Sequence, residues 1–183
     1  MSQRDRPRGG DRMNVIIRKA VLQDAAAMAT LDGQCFSSPW SRQAFEQELS
    51  VNGAAFYLIA TIEDEIIGYA GLWEVLNEGH ITNIAVHPAH RRKGFGEMLL
   101  AELIRISEEK GLASHTLEVR TSNEPARRLY EKYDFKIAGI RKEYYEDNRE
   151  DALILWRTHG YGFRNGIEAN SLRNTKSCRK SFR

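Results

Sequence analysis

His80-Ile81-Thr82-Asn83-Ile84-Ala85-Val86-His87-Pro88-Ala89-His90-Arg91-Arg92-Lys93-Gly94-Phe95-Gly96 changes its structural period part-way along, and that change decides the architecture. Residues 80–86 read as a β-strand. Over residues 96–110 the apolar positions Met98, Leu99, Leu100, Leu103, Ile104 and Ile106 recur at helical spacing, and Gly111 is placed to end the helix in the left-handed conformation. Between strand and helix lies a turn with glycine at 94 and 96 behind three basic residues. A helix N-terminus leaves backbone N–H groups unpaired and carries partial positive charge, so it attracts phosphate. Glycine lets a ligand approach without a Cβ in the way, and Arg91, Arg92 and Lys93 add longer-range attraction for an anion. The glycine pair alone is equally compatible with a plain tight turn. The strand before it and the amphipathic helix after it supply the context of a phosphate site. No Gly-Lys-Ser/Thr follows, so the turn is not a P-loop, and without a full dinucleotide fingerprint it is not a Rossmann site.

On the N-terminal side, residues 14–18 read as an opening strand. Asp24 is placed to cap a helix that runs towards Cys35, and Ser37-Ser38-Pro39-Trp40 breaks it. Ser41 is an N-cap for a second helix to about Leu49. Residues 55–62 and 65–75 form a hairpin through Glu63-Asp64, and Asn77-Glu78-Gly79 supplies the next turn. On the C-terminal side, residues 115–119 read as a strand, 124–133 as a helix, and 135–140 and 151–156 as the last strands. The order β-α-α-β-β-β-α-β-α-β-β predicts a mixed sheet, antiparallel in its hairpins and locally parallel across its strand–helix–strand units.

A chain of 183 residues suits one domain with a proper core. No apolar run approaches the roughly 20 residues of a membrane helix, and the arginine-rich residues 1–12 do not read as a secretory signal. Two cysteines, Cys35 and Cys178, fit reduced thiols, so a cytoplasmic location is expected. The net charge of +2 is unevenly spread. Residues 1–12 carry four Arg against two Asp, and residues 157–183 carry seven Lys or Arg against one Glu, which leaves −6 on the segment between. The expected organisation is one domain over 13–157 with mobile basic tails at 1–12 and 158–183. An acidic body suits a basic substrate, although charged tails are commonly just solvated. The five histidines show no metal-ligand spacing and Cys35 has no evident base partner, so neither a metal site nor a thiol nucleophile is expected.

Arg91-x-x-Gly94-x-Gly96 after Ile84-Ala85-Val86-His87-Pro88 resembles motif A of the GCN5-related N-acetyltransferase (GNAT) family, and the likeness runs over residues 14–156. The resemblance implies an α/β (α+β) GNAT fold, a mixed twisted central sheet of about seven strands flanked by about four helices. It implies acetyl-CoA as co-substrate. The main chain of Ile84, Ala85 and Val86 would meet its pantetheine arm. The N–H groups of Arg92, Lys93, Gly94, Phe95, Gly96 and Glu97 would meet its pyrophosphate, with Arg91 at the first motif position.

Leu117-Glu118-Val119-Arg120-x-Ser122-Asn123-x-x-Ala126-x-x-Leu129-Tyr130-Glu131, Tyr144-Tyr145, Arg149-Glu150-Asp151-Ala152 and Phe36-Ser37-Ser38-Pro39-Trp40-Ser41 are similar to the ribosomal-protein alanine N-acetyltransferases of that family. The resemblance implies Glu118 as general base, Tyr130 as general acid and Asn123 as a cofactor contact, with Trp40, Tyr144 and Tyr145 walling a peptide groove. The implied acceptor is the N-terminal α-amine of a protein, the N-terminal alanine of a basic ribosomal protein. The alternative is a broader acceptor range of other N-termini, lysines, polyamines or an antibiotic amine. No membrane and no direct nucleic-acid contact is required, and a monomer or weak homodimer is expected.

The residue types suit the chemistry. A free α-amine has a pKa of about 8 and is mostly protonated at neutral pH. A carboxylate can take that proton directly or through water, and a phenol can protonate a departing thiolate. Each residue also has a plainer reading: Glu118 as a solvated strand residue, Tyr130 as a core aromatic, Asn123 as only an N-cap, Trp40 as a lid on the first two helices. Two departures stand out. Tyr133-Asp134-Phe135 replaces the common Leu-Gly-Phe, which Asp tolerates because it can adopt the left-handed conformation. Asn148 replaces a usual glycine in a shortened loop over residues 145–149, which bears on substrate preference.

Overall fold

Strand β2 (Ala55–Ile62) shows how the layers arise. Phe56, Leu58 and Ala60 face one core while Tyr57 and Ile59 face the other, so both faces of the sheet are covered. The computed structural model describes residues 14–158, and the expected basic tails, at 1–12 and beyond Thr158, lie outside them together with Cys178.

Seven strands form one sheet in the order β1-β2-β3-β4-β5-β7-β6. Besides β2 these are β1 (Val15–Lys19), β3 (Glu65–Val75), β4 (Glu78–Val86), β5 (Ser114–Arg120), β6 (Lys136–Arg141) and β7 (Ala152–Thr158). Helices α1 (Ala25–Cys35) and α2 (Arg42–Ser50) cover one face, and α3 (Phe95–Glu109) and α4 (Glu124–Lys132) the other. On the α3 side Leu99, Leu100 and Leu103 have no exposed surface, and each contributes about 1.5–3 kcal/mol by burial. Met28 and Phe45 do the same work on the α1–α2 side. The buried leucines anchor α3 and thereby fix the turn at its start.

The mixed sheet is as expected, with one difference. β5 and β6 point the same way but are not neighbours, because β7 hairpins back from β6 and inserts between them. Among the described residues the single parallel pairing is β4 with β5, and it is short: Glu78↔Ser114, Gly79↔His115 and His80↔Thr116. Beyond those residues the two strands part, and a wedge opens between residues 81–86 and 117–120.

Local signals hold at most boundaries. Ser41 Oγ accepts from the Ala44 N–H at 3.1 Å and Asn123 Oδ1 from the Ala126 N–H at 3.3 Å, so both cap their helices. Gly111 has φ +94° and Asp134 φ +63°, the left-handed conformation expected at both. Two expectations need correction. Asp24 does not cap α1; its carboxylate takes Arg18 at 2.7 and 2.9 Å and the Val21 N–H at 2.8 Å, closing a 3-10 turn ahead of the helix. The β3–β4 turn is Leu76-Asn77, and Gly79 lies inside β4. A Cβ there would meet Leu72 at 2.7 Å and His115 at 2.8 Å, so packing rather than turning requires glycine.

Candidate active site

Gly94 precedes α3 with φ +88°, and the Met98 N–H is the first to bond back, to Gly94 O at 3.0 Å. The N–H groups of Phe95, Gly96 and Glu97 therefore come before the first intrahelical bond and point out of the helix start. A Cβ on Gly94 would meet nothing within 4 Å, so the backbone conformation demands glycine and the space above it is open. A Cβ on Gly96 would sit 3.6 Å from Val86, an ordinary contact. Protein atoms thus do not require the second glycine.

The strand leading into the turn presents its peptide groups in alternation. The His87 N–H donates to Ile67 O at 2.8 Å, and the same register turns Ala85 towards Tyr69 on β3. Ile84 and Val86 then face the open wedge, and Ala85 does not. Val86 O accepts from Arg91 Nε at 3.0 Å and from the Cys35 thiol at 3.4 Å, so the Arg91 side chain braces the turn against the end of β4. Burial pushes the Cys35 thiol up. Glu97 pairs with Lys132, which holds its carboxyl below the ordinary range and ties the start of α3 to the end of α4.

Across the wedge, Leu117 and Val119 enter the α3-side core, so Glu118 between them faces the opposite side of the sheet. Its Oε1 lies 3.0 Å from Arg141 Nη2. Arg141 sits 5.6 Å from the Tyr144 ring centre and Arg120 only 3.8 Å from that of Tyr145, while the two rings meet edge to face at 5.2 Å. Burial pushes the Tyr145 hydroxyl up, the Arg120 cation opposes this, and Tyr144, Glu118 and Tyr130 reinforce it. Glu118 and Tyr130 therefore each lie within electrostatic reach of Tyr145. Tyr130 is buried against Phe135, with ring centres 5.7 Å apart, and burial pushes its hydroxyl up to about 12. At neutral pH the hydroxyl keeps its proton.

Arg120 Nη2 reaches both oxygens of Asp147 at 2.9 and 2.8 Å, and its Nη1 reaches Asn148 at 2.9 Å and Glu150 at 3.3 Å. Glu150 also accepts from Thr121 Oγ1 at 3.0 Å and from the Ser122 N–H at 2.7 Å, so the β6–β7 loop is tied to the end of β5. Ser37 Oγ donates to Asp147 at 2.6 Å. The α1–α2 loop thus meets the β6–β7 loop. Trp40, in the former, lays its ring 5.6 Å from Phe45 and has its N–H on Asp32 at 2.6 Å. Its ring belongs to the α1–α2 layer, while its backbone belongs to the loop. Arg120, Glu150 and Ser37 lie in the motifs quoted above without a role assigned there, and Asp147 and Arg141 are further additions. Spacing along the chain does not show these contacts, because the partners stand far off in it.

Ser122 hydrogen bonds hold the Glu150 carboxyl down to about 2. A depressed carboxyl stabilises the fold above its ordinary pKa of 4.5, and that contribution fades as pH falls towards about 2. The melting-temperature difference between wild type and Glu150→Gln is therefore expected to be full above about pH 5 and to shrink steadily below it. Thermal melts across that range check this, and a pH-independent difference counts against the anchoring.

Among the described residues no three of His, Cys, Asp and Glu converge as a metal site, and no helix is long and apolar enough to cross a membrane. A family model described as the acetyltransferase (GNAT) family matches residues 25–135. The chain belongs to the GNAT family of acetyltransferases. The matched span holds the glycine turn, both diverging strands, Glu118 and Tyr130. A protein of Bacillus subtilis (strain 168), described as a candidate ribosomal protein bS18-alanine N-acetyltransferase, is 40% identical over 142 residues, 78% of this chain and 94% of that protein. The ribosomal protein bS18-alanine N-acetyltransferase of Escherichia coli (strain K12) is 37% identical over 134 residues, 72% of this chain and 89% of that enzyme. The crystal structure of the ribosomal-protein-S18-alanine N-acetyltransferase from Escherichia coli matches with a TM-score of 0.76 at 32% identity, covering 85% of this GNAT chain and all (100%) of that one.

Proposed function

We propose that this GNAT enzyme transfers acetyl from acetyl-CoA to the N-terminal α-amine of a protein, with the N-terminal alanine of ribosomal protein bS18 as acceptor. The observation that carries the reading is the wedge between β4 and β5, with the anion-attracting turn at the end of one diverging strand and Glu118 on the other. The pyrophosphate fits above Gly94, over the N–H groups of Phe95, Gly96 and Glu97. The pantetheine fits along the edge offered by Ile84 and Val86. Asn123 spends its carbonyl oxygen on the helix cap and keeps its amide N–H groups for the cofactor.

Glu118 takes a proton from the α-ammonium, directly or through a water. The freed lone pair forms the C–N bond at the thioester carbonyl, the C–S bond breaks, and the electron pair leaves on sulfur. As the C–S bond breaks the nitrogen sheds its second proton to water. Tyr130 gives the sulfur its proton and regains one from solvent, and Glu118 releases to solvent the proton it took. An α-amine, with a pKa of about 8, gives up its proton far more readily than a lysine at about 10.4, so the same base favours chain ends. The −6 balance between the tails suits an arginine-rich acceptor. Tyr144 and Tyr145 on one side and the Trp40 loop on the other wall its path.

A peptide beginning Ala-Arg and containing one internal lysine, incubated with enzyme and acetyl-CoA, is expected to carry acetyl on its α-amine by fragmentation mass spectrometry. Acetyl confined to the lysine would reject the proposal. The turn has its own test. Gly94→Val forces an L residue into the left-handed region, at a cost of about 1–2 kcal/mol, and crowds the pyrophosphate. The KM for acetyl-CoA is expected to rise roughly tenfold or more with the peptide KM little changed, read from initial rates.

A further inference from the structure

Asp32, on α1, is 1% exposed yet carries a carboxylate. Removing an ion from water is unfavourable, and an apolar side chain of similar volume would fill the space between α1 and the sheet at lower cost. The partners recorded for Asp32 are hydrogen-bond donors. Oδ2 accepts from the Trp40 N–H at 2.6 Å, and Oδ1 accepts from the Tyr69 hydroxyl. Tyr69 in turn accepts from Asn83 Nδ2 at 2.7 Å, and Asn83 Oδ1 accepts from Thr82 Oγ1 at 2.9 Å. Every donor along this chain aims towards Asp32.

The two ends of the chain matter. One is the α1–α2 loop, which reaches the β6–β7 loop through Ser37 and Asp147. The other is Thr82-Asn83 on β4, where the register with β3 shifts and where β4 has already parted from β5. A single buried carboxylate therefore joins the loop on the acceptor side to the strand on the cofactor side. Burial pushes the Asp32 carboxyl up and the Tyr69 hydroxyl well up, which keeps Tyr69 a donor.

We propose that Asp32 is a positioning residue for the acceptor amine, coupling the α1–α2 loop to β4 through Tyr69 and Asn83. The proposal rests on the wedge being the acetyl-transfer site. Asp32→Asn keeps the shape but turns an N–H towards one of the two donors, leaving it unsatisfied. In the full chain its KM for the Ala-Arg peptide is expected to rise roughly tenfold, with the KM for acetyl-CoA changed less than about twofold. Tyr69→Phe removes the hydroxyl that joins Asp32 to Asn83 but leaves the Trp40 N–H on Asp32, and it is expected to raise the peptide KM in the same direction by a smaller factor. It also supplies the answer if Asp32→Asn does not fold. A purely structural role lowers the melting temperature and the active fraction, so kcat falls while both KM values stay put. That result, or an equal rise in both KM values, overturns the proposal. Wild-type enzyme with no turnover on the peptide overturns the acetyl-transfer reading itself, and this proposal with it.

Discussion

Tyr130→Phe is expected to lower kcat by roughly 10²–10⁴-fold while leaving the fold intact. The ring is buried among Phe135 and the α3-side core, and phenylalanine preserves that packing. The deletion removes one proton donor. With its hydroxyl pushed up to about 12, Tyr130 arrives at the reaction protonated and can deliver the proton when the C–S bond breaks. A thiol of pKa about 8.5 is already a fair leaving group, which places the effect at the lower end of the range. A thiol-release assay reads it directly, with both KM values expected to stay close to wild type. An unchanged kcat would mean that water protonates the sulfur and that Tyr130 is simply a core aromatic.

Glu118→Gln is expected to lower kcat/KM for the peptide by roughly 10²–10³-fold near neutral pH, and the deficit should shrink as pH rises through about 8. Above that pH the α-amine sheds its proton to solvent without help. Glutamine keeps the side-chain volume, and Glu118 is half-buried, so stability should change little. The interaction lost is the 3.0 Å pair with Arg141. Parallel pH–rate profiles of wild type and variant decide the matter. A deficit of constant size across the range contradicts a role in deprotonating the amine.

Much of this was legible in the chain because the signals are local. The change of period between Val86 and Gly96, the caps at Ser41 and Asn123, and the left-handed stops at Gly111 and Asp134 each depend on a few neighbouring residues. The insertion of β7 between β5 and β6 depends on pairing across the sheet, which spacing along the chain does not encode. Gly79 reads as a turn until Leu72 and His115 are seen to crowd it. The site divides in the same way. The turn and Glu118 lie in contiguous motifs. The Arg120–Asp147–Ser37 tie joins residues up to 110 positions apart, and Asp32 has no pattern around it that announces a buried carboxylate. Trp40 shows both at once: its loop was legible, and the packing of its ring on Phe45 is the lid on the first two helices that its plainer reading offered.

The most direct test uses full-length ribosomal protein bS18 with a free N-terminal alanine, incubated with acetyl-CoA and either wild-type enzyme or Tyr130→Phe, followed by mass mapping of the product. The expected result is one acetyl group on the α-amine with wild type and little or none with the variant in the same time. An N-terminus left free by wild-type enzyme, or acetyl found only on lysines, would contradict the account.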